Sequence, residues 1–280
     1  MIKKKSIFPI RTYRDFIKNE SLQTRTRTIA RDAMIGLLST GRSSKKSGIR
    51  FPYYHHIFDD ERQGFSRQLK YMGNLGEFIS LNDAVSMLKN KDPIDGNYFC
   101  ITFDDGFKNW LTNATPLLID AGAIAAFFVV TGFVGTSVET DQKKLLSFYP
   151  DDNRLMEFLS WDDCRSMTSA GMTIGSHTMN HVHLTDLDDD AVHLELKSSK
   201  EFIEAELGQP CDHFCCPFGR EGIDFLIDRH PKMAKKIGYK SFLTGRRGLM
   251  EKGTSEMIIK RDHLLAGWGN FQLKYFFHHD

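Results

Sequence analysis

The sequence predicts an α/β fold: a parallel sheet with crossover helices, closed as a barrel or left open. Three observations support this. Strand-like and helix-like segments alternate with short turns through most of the 280 residues. The two best-defined strands, 98–103 and 123–130, are built from aromatic, β-branched, aliphatic or small residues, as strands covered on both faces are. Each then runs into a polar or glycine cluster, Asp104-Asp105-Gly106 and Thr131-Gly132, as happens at the carboxyl ends of strands where α/β folds place their chemistry.

The elements follow in order. Residues 1–48 read as a basic helical extension and linker, set apart from a main domain at 49–280. Residues 1–50 hold 13 Lys/Arg against 3 Asp/Glu in a chain whose net charge is only +1, so the remainder is acidic. Scattered apolar positions over 13–38 predict helix, and the Ser/Lys/Gly-rich stretch 41–48 predicts a linker. A first strand is expected over 49–57, ending in His55-His56. Helices follow over 65–78 and over 82–88, the second with Asn82 as its N-cap. After the strand at 98–103, Thr115-Pro116 starts a helix and Ala121-Gly122 ends it. Residues 133–159 carry no clear pattern. Ser160 with Asp163 forms a capping box for a helix over 161–170. A strand over 172–176, a helix over 185–207, a strand over 211–216, a helix over 224–237 and strands over 239–243 and 257–265 complete the series.

Composition narrows the class. Hydrophobic residues make up 41% and charged residues 26%, the profile of a soluble globular chain. The longest wholly apolar run, 123–130, is too short to span a bilayer. Lys3, Lys4 and Lys5 are followed by no apolar h-region, and the 5 cysteines do not suggest a disulfide framework. A cytoplasmic setting is therefore expected. The basic extension suits peripheral contact with an anionic membrane face or a phosphorylated substrate. Nucleic acid is not an expected partner.

Two stretches carry chemistry. Asp104 and Asp105 follow a fully apolar strand, and His177 and His181 stand four apart after another. Two histidines and one carboxylate, with open positions, form a hydrolytic or oxygen-activating metal site, and Asp104 or Asp105 completes that set. The run Cys211-x-His213-x-Cys215-Cys216 also spaces soft ligands on one strand face, but small thiols on a buried strand explain it better.

With TFDDG (102–106), SHTMNHVHL (176–184), AIAAFFVVTG (123–132), LSWDDCRSMTSAGMTIGSHT (159–178) and PFG (217–219), the chain from about 50 to 265 resembles NodB-homology polysaccharide deacetylases, carbohydrate esterase family 4. The resemblance implies a distorted (β/α) barrel of about seven strands holding one divalent metal, usually Zn²⁺, with Co²⁺, Ni²⁺ or Mn²⁺ as alternatives. It implies Asp105, His177 and His181 as ligands and Asp104 as the base acting on the attacking water. It places a proton-donating histidine near the last strand, where His263 stands, with His55 and His56 as rivals. It also implies an arginine before the third-motif proline, but this chain has Cys215-Cys216-Pro217 there. Arg220 and Arg261 are the candidates to replace it. Phe218 would offer its N–H to the oxyanion. Apart from the resemblance, Trp268, flanked by Gly267 and Gly269 on a loop after the last strand, is the tryptophan expected to contact substrate. The expected activity is removal of an N-acetyl group from an aminosugar-containing glycan or glycan precursor. Rival readings are a deformylase or other C–N hydrolase on the same fold, and a non-catalytic glycan-binding relative.

Overall fold

The computed structural model describes residues 8–18, 21–39, 47–90, 93–150 and 154–278. Lys3–Lys5 and most of the linker read at 41–48 lie outside them. At the amino end, α1 (Tyr13–Phe16) is capped by Thr12, and α2 (Leu22–Leu38) is capped by Ser21 and packs against the last helix.

The strand expected over 49–57 is two pieces, β1 (Gly48–Arg50) and β2 (Pro52–Tyr54). After a short β3 (Glu77–Phe78), the run over 98–103 is also divided, into β4 (Asn97–Phe99) and β5 (Ile101–Asp105). The breaks at Phe51 and Cys100 carry both segments from a small sheet, ordered β1-β4-β3, into a larger one. The larger sheet continues through β6 (Ala125–Val129), β7 (Thr173–Ser176), β8 (His213–Cys215), β9 (Ser241–Leu243) and β10 (Asp262–His263). Its order is β10-β2-β5-β6-β7-β8-β9, all parallel. This is the distorted seven-stranded (β/α) barrel the sequence predicts.

The last strand is shorter than the expected 257–265 because that segment serves both edges of the sheet. Ile259 bridges to Leu243 beside β9, while Asp262 and His263 pair with Pro52 and Tyr53 of β2. A single stretch of about seven residues therefore closes the barrel. Arg261 lies within this seam.

The helices α3 (Arg62–Gly73), α4 (Leu81–Asn90), α5 (Thr115–Asp120), α6 (Gln142–Leu146), α7 (Trp161–Ser169), α8 (Asp189–Leu207), α9 (His230–Ile237) and α10 (Asn270–His278) connect or flank the strands. Ser160 and Asp163 form the expected capping box. The N-cap bond of α4 comes from Ser80 rather than Asn82, the Ser80 hydroxyl accepting from Asp83 N–H at 3.1 Å. The core is aromatic: Phe103 stacks between Tyr54 and Phe127, with ring centroids 5.5 and 4.7 Å away. Trp110 is fully buried and donates its indole N–H to His55 O at 2.7 Å, so it is a packing residue.

The cysteine-rich strand is structural. All 5 cysteines are buried and free, and His213 Nδ1 and Nε2 pair with Ser241 Oγ (2.8 Å) and Asn82 Oδ1 (2.9 Å). Since Asn82 Oδ1 only accepts, Nε2 carries the proton and Nδ1 accepts from the Ser241 hydroxyl. Burial then lowers the His213 pKa to about 4. Below the usual imidazole value the unfolded chain takes up a proton that folded His213 refuses, so stability falls as pH drops from about 6.5 toward 4. The loss from this one group is about 3 kcal/mol at full extent. Denaturant unfolding measured across that range checks this, and His213→Asn should flatten the slope.

Candidate active site

The site is assembled where β5 and β7 end. Successive strand residues point to opposite faces, so Asp104 and Asp105 must diverge. Asp105 faces the barrel mouth, with Oδ1 at 3.5 Å from His177 Nε2 and 3.3 Å from His181 Nε2. Asp104 faces inward, and Arg261 grips it with Nη1 on Oδ1 and Nη2 on Oδ2, both at 2.7 Å.

Local backbone supports this arrangement. Asp105 (φ 97°), Thr178 (φ 66°), His181 (φ 56°) and Phe218 (φ 59°) are the non-glycine residues with left-handed backbone among the described residues. All four surround the same point, the clustering expected where strain is retained for function. The loop carrying His181 is clamped by Glu195, whose carboxylate accepts from the N–H groups of Met179 (2.9 Å) and Asn180 (3.1 Å). His177 Nδ1 donates to Cys215 O at 2.8 Å, which fixes the tautomer and leaves the Nε2 lone pair facing Asp105.

These residues fit a divalent cation. Asp105 Oδ1 is buried and makes no hydrogen bond, which is costly unless another partner satisfies it. Donor atoms about 2.1 Å from a tetrahedral ion stand ~3.4 Å apart, close to the separations of Asp105 Oδ1 from the two imidazole nitrogens. Burial lowers His181, so its imidazole stays neutral, as a metal ligand must be. Asp104, His177 and Cys215 also lie close together, but this second group is already engaged. Arg261 occupies both Asp104 oxygens, and burial raises the Cys215 thiol well above its usual value.

Asp104 is buried, and Arg261 overcomes that burial to keep its pKa below the usual value. Arg261 is itself fixed by Nε donating to Thr244 O (2.8 Å) and by the Tyr53 ring under its guanidinium. Arg220, the other candidate for this task, instead binds Asp224 through Nε and Nη2, both at 2.9 Å.

A cavity of about 630 Å³ opens above Asp105, His177 and His181. His55, His263 and Phe218 also line it. His55 Nδ1 and His263 Nε2 are 3.2 Å apart. Burial, with His55 and Arg247 nearby, lowers the His263 pKa to about 3. His56 packs over Phe107 and is lowered to about 3 by burial, then by His55. Trp268 departs from its expected place. It is 8% exposed, stacks on Phe276, lies beneath Arg31, and is not among the residues lining the cavity. Gly267 and Gly269 suggested an open loop, but α2 and α10 cover that surface.

Sequence reasoning missed Glu195, the Cys215 carbonyl and the aromatic side chains Phe16, Phe58, Phe148 and Tyr149. Glu195 looks like any helix carboxylate, and a carbonyl ligand leaves no mark in side-chain identity. Three of the aromatics lie in segments that read as extension or irregular loop.

Comparison with known proteins agrees with this geometry. The family model described as polysaccharide deacetylase matches residues 91–242, more than half of the chain. YxkH of Bacillus subtilis (strain 168), which carries a provisional polysaccharide deacetylase name, is 22% identical over 232 residues, covering 81% of this chain and 75% of its own. The Streptococcus pyogenes deacetylase PplD, solved in complex with acetate, superposes with a TM-score of 0.67 at 22% identity, covering 83% of this chain and 99% of that one. IcaB from Ammonifex degensii gives a TM-score of 0.66 at 20% identity, covering 83% and 97%. At these identities the two structures establish the shared fold. The family match, together with the Asp105, His177 and His181 cluster at the barrel mouth, leads to one assignment: this chain is a hydrolase of the polysaccharide deacetylase family.

Proposed function

We propose that this protein removes the N-acetyl group from an aminosugar in a glycan or glycan precursor, using one divalent cation held by Asp105, His177 and His181. The observation that carries the reading is the orphaned Asp105 Oδ1 between two imidazole nitrogens, one strand residue away from a carboxylate held ionised by arginine. Zinc is the first choice for a two-histidine, one-carboxylate set, with cobalt, nickel or manganese as substitutes. When bound, such an ion polarises the acyl oxygen and eases deprotonation of water.

The chain's own groups divide the rest. Asp104 Oδ1 accepts from Arg261 and from the Cys215 thiol, while Oδ2 accepts from Arg261 and keeps a lone pair, so it accepts a proton from the attacking water. The Phe218 N–H, at the turn after β8, stabilises the negative oxygen that develops on the acyl carbon. Collapse requires a proton on the departing nitrogen. His263, neutral at rest, supplies it only after receiving one within the cycle, and its neighbour His55 orients the ring. The absent third-motif arginine would favour a non-catalytic relative, but Arg261, one residue before β10, supplies that charge to Asp104.

The five free, buried cysteines support a reducing, cytoplasmic setting and so a precursor substrate. Contact with an anionic membrane face is supported by exposed Leu22, Met34 and Leu37 on α2, a helix that also carries Arg27 and Arg31.

Acetate release from N-acetylated aminosugar oligomers by the purified protein tests the reading. A chelator should abolish release, and zinc or cobalt should restore it. Release that persists after chelation, or in Asp104→Asn, would overturn it.

A further inference from the structure

Residues 10–17 precede the segment matched by the family model, yet they close one side of the cavity. Backbone and carboxylate bonds strap them to the barrel. Ile10 N–H donates to Leu155 O at 2.9 Å, and Asp59 N–H donates to Arg11 O at 3.0 Å. The Asp60 carboxylate accepts from the N–H groups of Tyr13 (2.7 Å) and Arg14 (3.3 Å). The short helix α1, capped by Thr12, then brings Tyr13 and Phe16 to the cavity wall.

Phe16 is locked there by aromatic neighbours. Its ring centroid lies 5.1 Å from His56, 5.2 Å from Phe58 and 5.8 Å from Tyr149, and the Arg154 guanidinium sits 3.9 Å above it. The Tyr149 hydroxyl is 3.1 Å from His56 Nε2, so the 148–150 segment joins the strap in one wall. Phe218 and the 264–266 segment supply the other sides, with Asp105, His177 and His181 at the base.

We propose that this N-terminal strap makes the site a pocket closed on one side, which takes a short acylated aminosugar or the end of a glycan and rejects the interior of a long polymer. The proposal rests on the N-acyl hydrolase reading above and names the substrate class for that same site. An internal sugar needs two exits, one for each direction of its chain, and the strap fills one of them. A volume of about 630 Å³ belongs to sites that enclose one small ligand, and the aromatic lining offers flat apolar surface to the C–H face of a pyranose.

The strap's attachment suggests the test, made on the full-length protein. Phe16→Ala removes part of the wall, whereas Asp60→Ala releases the strap without altering any side chain that lines the cavity. Rates of acetate release, as kcat/KM, are compared on an N-acetylhexosamine dimer and octamer, with melting curves recorded for each variant. The wild-type protein should prefer the dimer, and both variants should raise the octamer-to-dimer ratio about tenfold, the scale on which one wall contact discriminates. An octamer cleaved as well as the dimer by the wild type, or a ratio unmoved in both folded variants, would overturn the proposal. If the metal-supplied wild type releases acetate from neither length, the hydrolase reading has failed, and this inference fails with it.

Discussion

Arg261→Met is expected to lower kcat/KM about a hundredfold at neutral pH without loss of metal, and to recover part of that activity at alkaline pH. The magnitude is that of impaired general-base catalysis. In the native protein the guanidinium bonds both Asp104 oxygens and overcomes burial, so the carboxylate is ionised throughout the working range. Methionine fills the space but brings no charge. Burial then loses its main counterweight, the Asp104 pKa rises, and the acid limb of the pH profile moves upward. The same substitution leaves a buried charge without its partner, at a cost of about 3–5 kcal/mol in stability. Kinetics across a pH series, with metal analysis of each preparation, check the result. Equal loss at every pH would show that Arg261 does not act through the charge on Asp104.

The second large effect is expected from Asp105→Asn. Asparagine matches aspartate in shape and tolerates the left-handed backbone at this position, where φ is 97°, so the fold should hold. What disappears is the anionic donor between two imidazoles. Metal affinity should fall by more than about a hundredfold, since even loss of an outer partner of a ligand costs 10–100-fold. A readout independent of turnover is available. Zinc at about a hundred times its dissociation constant stabilises a folded protein by about 2.7 kcal/mol, and the variant should lose that increment. An unchanged zinc-dependent rise in melting temperature would remove Asp105 from the ligand set.

The parts of this molecule that could be read from the sequence are those where local chemistry and long-range structure agree. The apolar strands β5 and β6 each end at a polar cluster, and both the parallel sheet and the positions of Asp104 and Asp105 follow from that pattern, while His177 stands at the end of β7. Helix limits set by tertiary packing were harder to see. The helix expected from 185 begins at Asp189, because Asp188 caps it and Leu184–Asp186 forms a separate turn. The break at Cys100 leaves no mark in an apolar run, because a strand that changes sheets stays buried throughout, whereas the break at Phe51 is marked only by Pro52, where β2 begins. Trp268 shows the opposite failure: flanking glycines signal an open loop, but helices distant in sequence cover it. Arg261 could be named as a candidate, but only closure of the barrel brings it to Asp104, 157 residues earlier.

That separation bears on how the protein is made. At about 5–20 residues per second of synthesis, Asp104 leaves the ribosome roughly eight to thirty seconds before Arg261. By the end of that interval the nascent chain has the carboxylates, both imidazoles and β9, but nothing to neutralise Asp104 and nothing along the open edges of β2 and β9. The stretch 257–263 supplies both at once, sealing the two edges and pairing the charge. Completion of the barrel and the pairing of Asp104 are thus a single late event, so an interrupted chain that stops short of the seam holds Asp105, His177 and His181 but leaves Asp104 without its partner.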